Sequence, residues 1–207
     1  NLHGCTYLTT VDASSAVKFQ PNTFYGCEHL KSIDLPGEGS GRTVMLSTGM
    51  FYGCEALDTI DLSCVDFNGS LFDTAANTFY GCSSLTVIDL PTATKIPSGA
   101  FRDCISITSV SAPLVKDIGC DAFNGCIGLT TVDVPNAVTV YDRAFKGCSS
   151  FSVLNPSTGM SPFLRIADIR DDAFYDYAPY IPYSDMNSNL SKVTITNTNL
   201  SGSKGVD

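Results

Sequence analysis

Apolar side chains recur along this chain in a fixed pattern. The complete copies open with a phenylalanine, have a cysteine three residues later, and have further apolar residues six, nine and eleven residues after the phenylalanine. Where the pattern is clearest, the cysteines are 22 residues apart, at Cys104, Cys126 and Cys148. A period in the twenties is typical of stacked repeat proteins, so the pattern predicts a solenoid whose coils contact mainly their neighbours.

Each coil is predicted to contain a strand and a turn. The last two apolar positions lie two residues apart, as in Ile88-Asp89-Leu90, which is strand spacing, and Pro91 then ends the strand. The Ala-Phe-x-x-Cys segment, here called the hook, is too short for a helix and predicts a turn or a single helical turn. Glycine precedes most hook cysteines, which suits either a tight backbone bend or a left-handed backbone conformation. Another apolar residue recurs five positions before the next phenylalanine, at Ile96, Ile118, Val140 and Ile169.

The pattern defines the predicted domain organisation. Seven coils begin at Leu2, Phe24, Phe51, Phe79, Phe101, Phe123 and Phe145, and the predicted solenoid covers residues 1–177. Residues 178–207 predict a C-terminal cap, with a last strand near 192–196 and a loose tail, because a solenoid end must cover its core. Coils 2 and 3 are longer, with extra residues near 37–41 and 66–70. These are either tolerated loops or a second binding face.

Composition and charge exclude some classes of function. The chain has 207 residues, 43% of them hydrophobic, and a formal net charge of −9. This acidic balance argues against a nucleic-acid partner, because no basic stripe is available for phosphates. No apolar run approaches the roughly 20 residues that a membrane helix needs, so no membrane insertion is expected within this fragment.

The nine cysteines do not form a metal-binding pattern. Seven occupy the hook slot, and only Cys64 and Cys120 fall outside it. No Cys-x-x-Cys pair is present and His3 and His29 are the only histidines, so neither a zinc site nor any other cofactor is predicted. A hook cysteine is interpreted as a small buried apolar group. Disulfides between neighbouring coils are the alternative, although side chains that point in parallel suit that bond poorly.

These repeats resemble the BspA-like group of leucine-rich repeats, whose pattern leads from a leucine- and isoleucine-rich strand with a proline to an Ala-Phe-x-x-Cys hook. The match covers about residues 2–177. The resemblance implies a repeat solenoid of the α/β leucine-rich-repeat type: a curved right-handed coil with a parallel sheet on its concave face and short turns on its convex face. It also implies a bacterial cell-surface or secreted protein, associated with adhesion, and no catalytic residues.

The outward strand positions form the candidate binding surface. Between the two inward apolar residues lie Asp12, Asp34, Asp61, Asp89, Ser111, Asp133 and Asn155. Two positions earlier lie Thr10, Ser32, Thr59, Val87, Ser109, Thr131 and Val153. Stacked coils place these residues in an acidic column beside a mostly hydroxyl column. The candidate partner-binding residues are Asp12, Ser32, Asp34, Thr59, Asp61, Asp89, Ser111, Thr131 and Asp133.

Three interpretations of these columns stay open. In the first, the aspartates only keep the sheet face soluble; in the second, they recognise a basic or hydroxyl-rich partner; in the third, they bind calcium, for which a flat column is a poor cage. No nucleophile–base pair is evident, because Cys27 near His29 is a core position, so no enzyme is predicted. We expect a monomeric, extracellular recognition or adhesion module that binds a host or matrix protein. The alternative is a structural spacer within a larger surface protein.

Overall fold

The chain forms a parallel β-solenoid in a computed structural model that describes residues 2–67, 75–151, 168–170, 172–174 and 192–193. The predicted repeat solenoid is confirmed. Its strands are β1 (Thr10–Asp12), β2 (Ser32–Asp34), β3 (Val44–Met45), β4 (Thr59–Ile60), β5 (Val65–Asp66), β6 (Val87–Asp89), β7 (Lys95–Ile96), β8 (Ser109–Ser111), β9 (Asp117–Ile118), β10 (Thr131–Asp133), β11 (Thr139–Val140), β12 (Asp168–Ile169) and β13 (Lys192–Val193).

The predicted strand of each coil forms the front sheet. Strands β1, β2 and β4 pair in parallel, and β6, β8 and β10 form a second parallel set. The pairing joins equivalent repeat positions, for example Val11 with Ile33 and Ile88 with Val110. The sequence predicts one sheet through all coils, whereas the pairing in the described residues stops between β4 and β6.

A second ladder lies on the return path of each coil. Strands β7, β9, β11, β12 and β13 form one parallel sheet, and β3 pairs with β5 separately. The sequence identifies the apolar positions of this ladder, since Ile96, Ile118 and Val140 are fully buried, but it does not predict that they are strands. Strand β13 lies within the range where a last strand is predicted. The rest of segment 178–207 lies outside the described residues, so the predicted cap stays a prediction.

The hooks stack into the third side of the coil. They are turns, one of the two predicted forms, and no helix occurs in the described ranges. Phenylalanine rings lie face to face along the stack, for example Phe51 on Phe79 with centroids 5.1 Å apart and Phe79 on Phe101 at 5.2 Å. The glycines before the cysteines have positive φ, as predicted, and Asp103 takes this conformation in coil 5 (φ 57°).

Candidate recognition surface

The outward residues of the front strands form one surface, here called the front face. The parallel register places Asp12 beside Asp34, and Ser111 lies between Asp89 and Asp133. The hydroxyl column forms in the same way, with Ser32 between Thr10 and Thr59 and with Ser109 between Val87 and Thr131. Strand pairing therefore aligns both columns as predicted in coils 1 and 2 and in coils 4–6, adds Thr59 to the hydroxyl column, and stops between coils 3 and 4 in the described residues. Val153 and Asn155 lie outside the described residues, and whether the columns bind a partner is a separate question.

The aspartates of the acidic column are of two kinds. Asp12 accepts hydrogen bonds from the backbone N–H and the hydroxyl of Ser14, at 3.0 and 2.7 Å, and these bonds lower the pKa of its carboxyl. Asp61 accepts the backbone N–H of Ser63 at 2.8 Å. Both carboxylates therefore cap the turn that follows their strand, a local role that the sequence did not suggest.

The remaining aspartates have no such role. Asp34, Asp89 and Asp133 are exposed, and the residue two positions after each is a proline, which has no N–H to donate. Within the described residues no hydrogen bond or ion pair involves their carboxylates. The sequence distinguishes the two kinds, since the capping aspartates occur as Asp-x-Ser and the others as Asp-x-Pro.

Threonine hydroxyls beside the columns donate hydrogen bonds to backbone carbonyl oxygens of the preceding coil. The Thr108 hydroxyl donates to the Thr86 carbonyl oxygen at 3.1 Å, and the Thr130 hydroxyl donates to the Thr108 carbonyl oxygen at 2.9 Å. These threonines are exposed, so their methyl groups and oxygen lone pairs face solvent. The half of the front face formed by coils 4–6 is therefore richer in hydroxyls, while coils 1–3 contribute three of the five aspartates.

The hook cysteines are structural donors. The Cys126 thiol donates to the Phe101 carbonyl oxygen of the preceding coil at 3.0 Å, and the thiols of Cys27, Cys54, Cys82, Cys104 and Cys148 make equivalent bonds at 3.0–3.1 Å. All nine cysteines are free, so the disulfide alternative is wrong. Burial raises the pKa of Cys27, whose thiol is committed to this bond, and the Cys27–His29 pair offers no thiolate nucleophile.

No cluster of histidine, cysteine or carboxylate side chains within the described ranges has a geometry suited to holding a metal ion. The aspartates of the column stand one to a coil, so each carboxylate faces solvent beside a hydroxyl or another aspartate rather than within a cage. No helix long and apolar enough to cross a membrane occurs in the same residues.

The sequence analysis did not predict an aromatic column that lies beside the hooks. Tyr25, Tyr52 and Tyr80 stack with centroids 4.6 and 4.4 Å apart, His3 contacts one end, and the Arg102 guanidinium lies 5.6 Å from the Tyr80 ring. A hydrogen bond to Asp103 raises the pKa of Tyr80. The signal was the aromatic residue that directly follows the hook phenylalanine. Since neighbouring rings cover each other's faces, the column has no free face on which a sugar or cation can stack.

The inserted loops are the second candidate surface. Residues 38–41 are exposed, as a binding loop requires, and Gly39 and Gly41 adopt positive φ. In the other loop Asp66 and Phe67 are described, and Phe67 is buried with its ring edge-on to Phe101 at 6.4 Å. Residues 68–70 lie outside the described residues.

The chain matches a known family model and is similar to several solved structures. The family model of the BspA type leucine rich repeat region matches residues 2–77 and 72–195, in six copies. A leucine-rich repeat protein from Eubacterium ventriosum has 21% identity and a TM-score of 0.64, over 87% of this chain and 46% of its own. The T. pallidum leucine rich repeat protein has 28% identity and a TM-score of 0.58, over 73% and 68%.

A third solved structure, a leucine-rich repeat protein from Bacteroides ovatus, has 20% identity and a TM-score of 0.56, over 92% of this chain and 56% of its own. The chain thus spans about half the length of the first of these proteins. A comparison with curated proteins found no match.

Proposed function

Because the chain belongs to the BspA-type leucine-rich-repeat family, we propose that it is a non-catalytic recognition module of a secreted or surface-anchored protein. Its front face binds a protein partner with a basic surface, and a host or matrix protein is the class we favour. Repeats of this family are typically interaction modules rather than catalysts.

The main support for the proposal is a set of exposed carboxylates on the front face. Asp34, Asp89 and Asp133 are exposed carboxylates for which the described part of the chain supplies no hydrogen bond and no counter-ion. Asp34 also lies in register beside Asp12, and two carboxylates about 5 Å apart in water repel by about 1 kcal/mol. The fold does not use these charges, whereas a basic partner would gain from them in both association rate and specificity.

The proposal is tested with two charge-matched variants. The first replaces Asp34, Asp89 and Asp133 with lysine, and the second replaces Glu28, Glu55 and Asp117, which lie off the front face. Asp61 is left intact because its carboxylate caps a turn. Each triple variant changes the formal net charge from −9 to −3. Both should keep the far-UV circular dichroism and thermal unfolding of the original chain.

Binding to a panel of matrix and host-surface proteins is then measured by biolayer interferometry between roughly 50 and 500 mM salt. The front-face triple should lose binding at least tenfold, the off-face triple should lose less than threefold, and binding should weaken as salt rises. Equal losses in both variants would mean that net charge alone matters, and the front face would not be the recognition surface.

A spacer role is the second candidate function. It is favoured by the coverage of the Eubacterium ventriosum protein, of which this chain spans 46%. Under this alternative the chain binds none of the panel, and binding appears only when neighbouring regions of a longer protein are included. The same interferometry on a longer fragment separates the two functions.

A further inference from the structure

Coil 1 has one side that no described part of the chain covers. Strand β1 is the edge strand of its sheet and pairs only with β2 in the described residues. We call the side of coil 1 that faces away from coil 2 the open end. Since the coils repeat one pattern, each residue of the open end has a counterpart at a junction where two coils are stacked.

Core side chains are exposed at the open end. Leu2 occupies the slot of the hook phenylalanine and is 39% exposed, whereas Phe24 is 2% exposed and the phenylalanines of coils 3–7 are fully buried. Leu8 is half-buried, whereas its counterparts in the later coils, from Leu30 to Phe151, are at most 1% exposed. In both slots coil 1 differs from every other described coil.

Two hydrogen-bond donors of coil 1 have no acceptor within the described residues. The Cys5 thiol is one of them, whereas each of the other six hook thiols donates to a carbonyl oxygen of the preceding coil. The Thr9 N–H is the second. Its counterparts donate to the preceding coil at 2.8–3.3 Å, and they are Lys31, Asp58, Thr108 and Thr130. Both donors therefore match acceptors that a preceding coil supplies.

The open end also has room for another coil. A Cβ on Gly26, the hook glycine of coil 2, would lie 3.9 Å from the Gly4 Cα of the preceding coil, and the same contact recurs at Gly53 and Gly81. A Cβ on Gly4 would meet nothing within 4 Å. The space that a preceding coil fills at these later junctions is therefore open beside coil 1 in the described part of the chain.

Coil 1 has the composition of an interior coil rather than of a cap. The terminal cap of a solenoid presents a polar outer face, because nothing stacks on it. In coil 1 the inward slots are all apolar, and they hold Leu2, Cys5, Leu8, Val11 and Ala13. The open end thus combines exposed core side chains, unbonded donors and free space, which are the three features of a surface on which a coil stacks.

We infer that the open end is a docking surface for one more coil of the same repeat type, which lies ahead of coil 1 in the same polypeptide. That coil places its hook phenylalanine on Leu2, offers the carbonyl oxygen of this phenylalanine to the Cys5 thiol, and adds a strand to the free edge of β1. Continuity with the described junctions favours this occupant, because a coil of this repeat supplies all of these groups in register. The inference goes beyond the proposed function, since it concerns the end of the solenoid rather than the front face.

The test adds a coil to the N-terminus of the whole chain. Residues 101–121 are copied directly before Asn1, which reproduces the 22-residue spacing between hook cysteines. A control extension carries the same residues in scrambled order. The first readout is the rate at which iodoacetamide alkylates Cys5 in the folded chain, measured by peptide mass spectrometry. Cys64 and Cys120, which are also half-buried, serve as internal references. The second readout is thermal unfolding followed by circular dichroism.

The copied coil should slow alkylation of Cys5 about tenfold or more, because it covers the thiol, and should raise the thermal midpoint by about 3 °C or more. The scrambled extension should change neither readout, and Cys64 and Cys120 should react as they do in the original chain. Equal Cys5 rates with the two extensions would overturn the inference.

Protection of Cys5 in the original chain that grows with protein concentration would also overturn it, by identifying a second copy as the occupant. The front-face variants are measured separately, so failure of this inference would leave the proposed function standing.

Discussion

The hook cysteine can be tested as a hydrogen-bond donor. Cys126 is fully buried, and its thiol lies 3.0 Å from the Phe101 carbonyl oxygen. That oxygen also accepts the Cys104 N–H at 3.2 Å, so it keeps a partner when the thiol is removed. Cys126→Ala should therefore cost the burial of about one methylene-sized group, ~0.8 kcal/mol, together with a weak hydrogen bond and a small cavity, for a total of about 2 kcal/mol.

Cys126→Ser separates the two roles of the thiol. A buried hydroxyl without a partner costs about 1–3 kcal/mol. Here the Phe101 carbonyl oxygen is within reach of the hydroxyl, so the serine variant should lose no more stability than the alanine variant, and about 1 kcal/mol is expected. If the thiol is only an apolar filler, serine should instead be worse than alanine by at least 1 kcal/mol.

Urea unfolding followed by circular dichroism measures both variants. Cys5 provides the control, because it occupies the hook slot of the first coil, is half-buried, and its thiol makes no hydrogen bond within the described residues. Cys5→Ser and Cys5→Ala should each change the free energy of unfolding by less than about 0.5 kcal/mol. A serine variant at position 126 that is markedly less stable than the alanine variant would refute the donor role.

Three further predictions concern the coil stack. Burial raises the pKa of Cys54 from 9.0 to about 12, so the folded state keeps protons that the unfolded state releases, and stability to urea should fall between pH 8 and pH 10.5. Gly119→Ala should cost about 3 kcal/mol, because its Cβ would lie 2.6 Å from a backbone nitrogen. Gly53→Ala, whose φ is 68° and whose Cβ would make an ordinary contact at 3.9 Å with the Gly26 Cα, should cost about 1 kcal/mol in the same urea assay. Phe79→Ala lies at the junction of coils 3 and 4, which no strand pairing crosses in the described residues, so it should lower the apparent m-value because coils 1–3 and the coils after them then unfold separately. Phe123→Ala, where both sheets cross the junction of coils 5 and 6, should keep the m-value and lose about 4 kcal/mol.

The repeat core was predictable because its pattern is local and is repeated. Phenylalanine, cysteine and apolar positions recur at fixed offsets, so one correctly interpreted coil determines the others, and residues such as Phe101, Cys104 and Ile107 are all fully buried. The acidic and hydroxyl columns follow from the same offsets, since parallel pairing in register stacks equivalent positions. This predicts where side chains lie, but not which of them the fold itself uses.

The features that the sequence did not predict depend on contacts between residues that differ from one coil to the next. Asn22 has a left-handed backbone, and its side-chain oxygen occupies the place where a Cβ on Gly49 would lie; Asn77 and Gly99 repeat this arrangement. In the sequence these residues do not form an obvious column, because asparagine and glycine alternate in one slot. The turn-capping role of Asp61 was missed for the same reason, since it depends on the residue after the strand rather than on the repeat.

The junction between coils 3 and 4 shows which contacts hold consecutive coils together. Phe51 and Phe79 stack at 5.1 Å and the Cys82 thiol reaches the Phe51 carbonyl oxygen at 3.1 Å across the junction where both sheets stop. The hook contacts therefore hold consecutive coils together even where coil lengths differ, because the hook is the same length in every coil. Front-sheet pairing also tolerates a change of coil length, since β1 pairs with β2 although the hook cysteines of coils 1 and 2 are 22 residues apart and those of coils 2 and 3 are 27 apart. An insertion in such a solenoid therefore lengthens a loop while the hooks keep consecutive coils stacked.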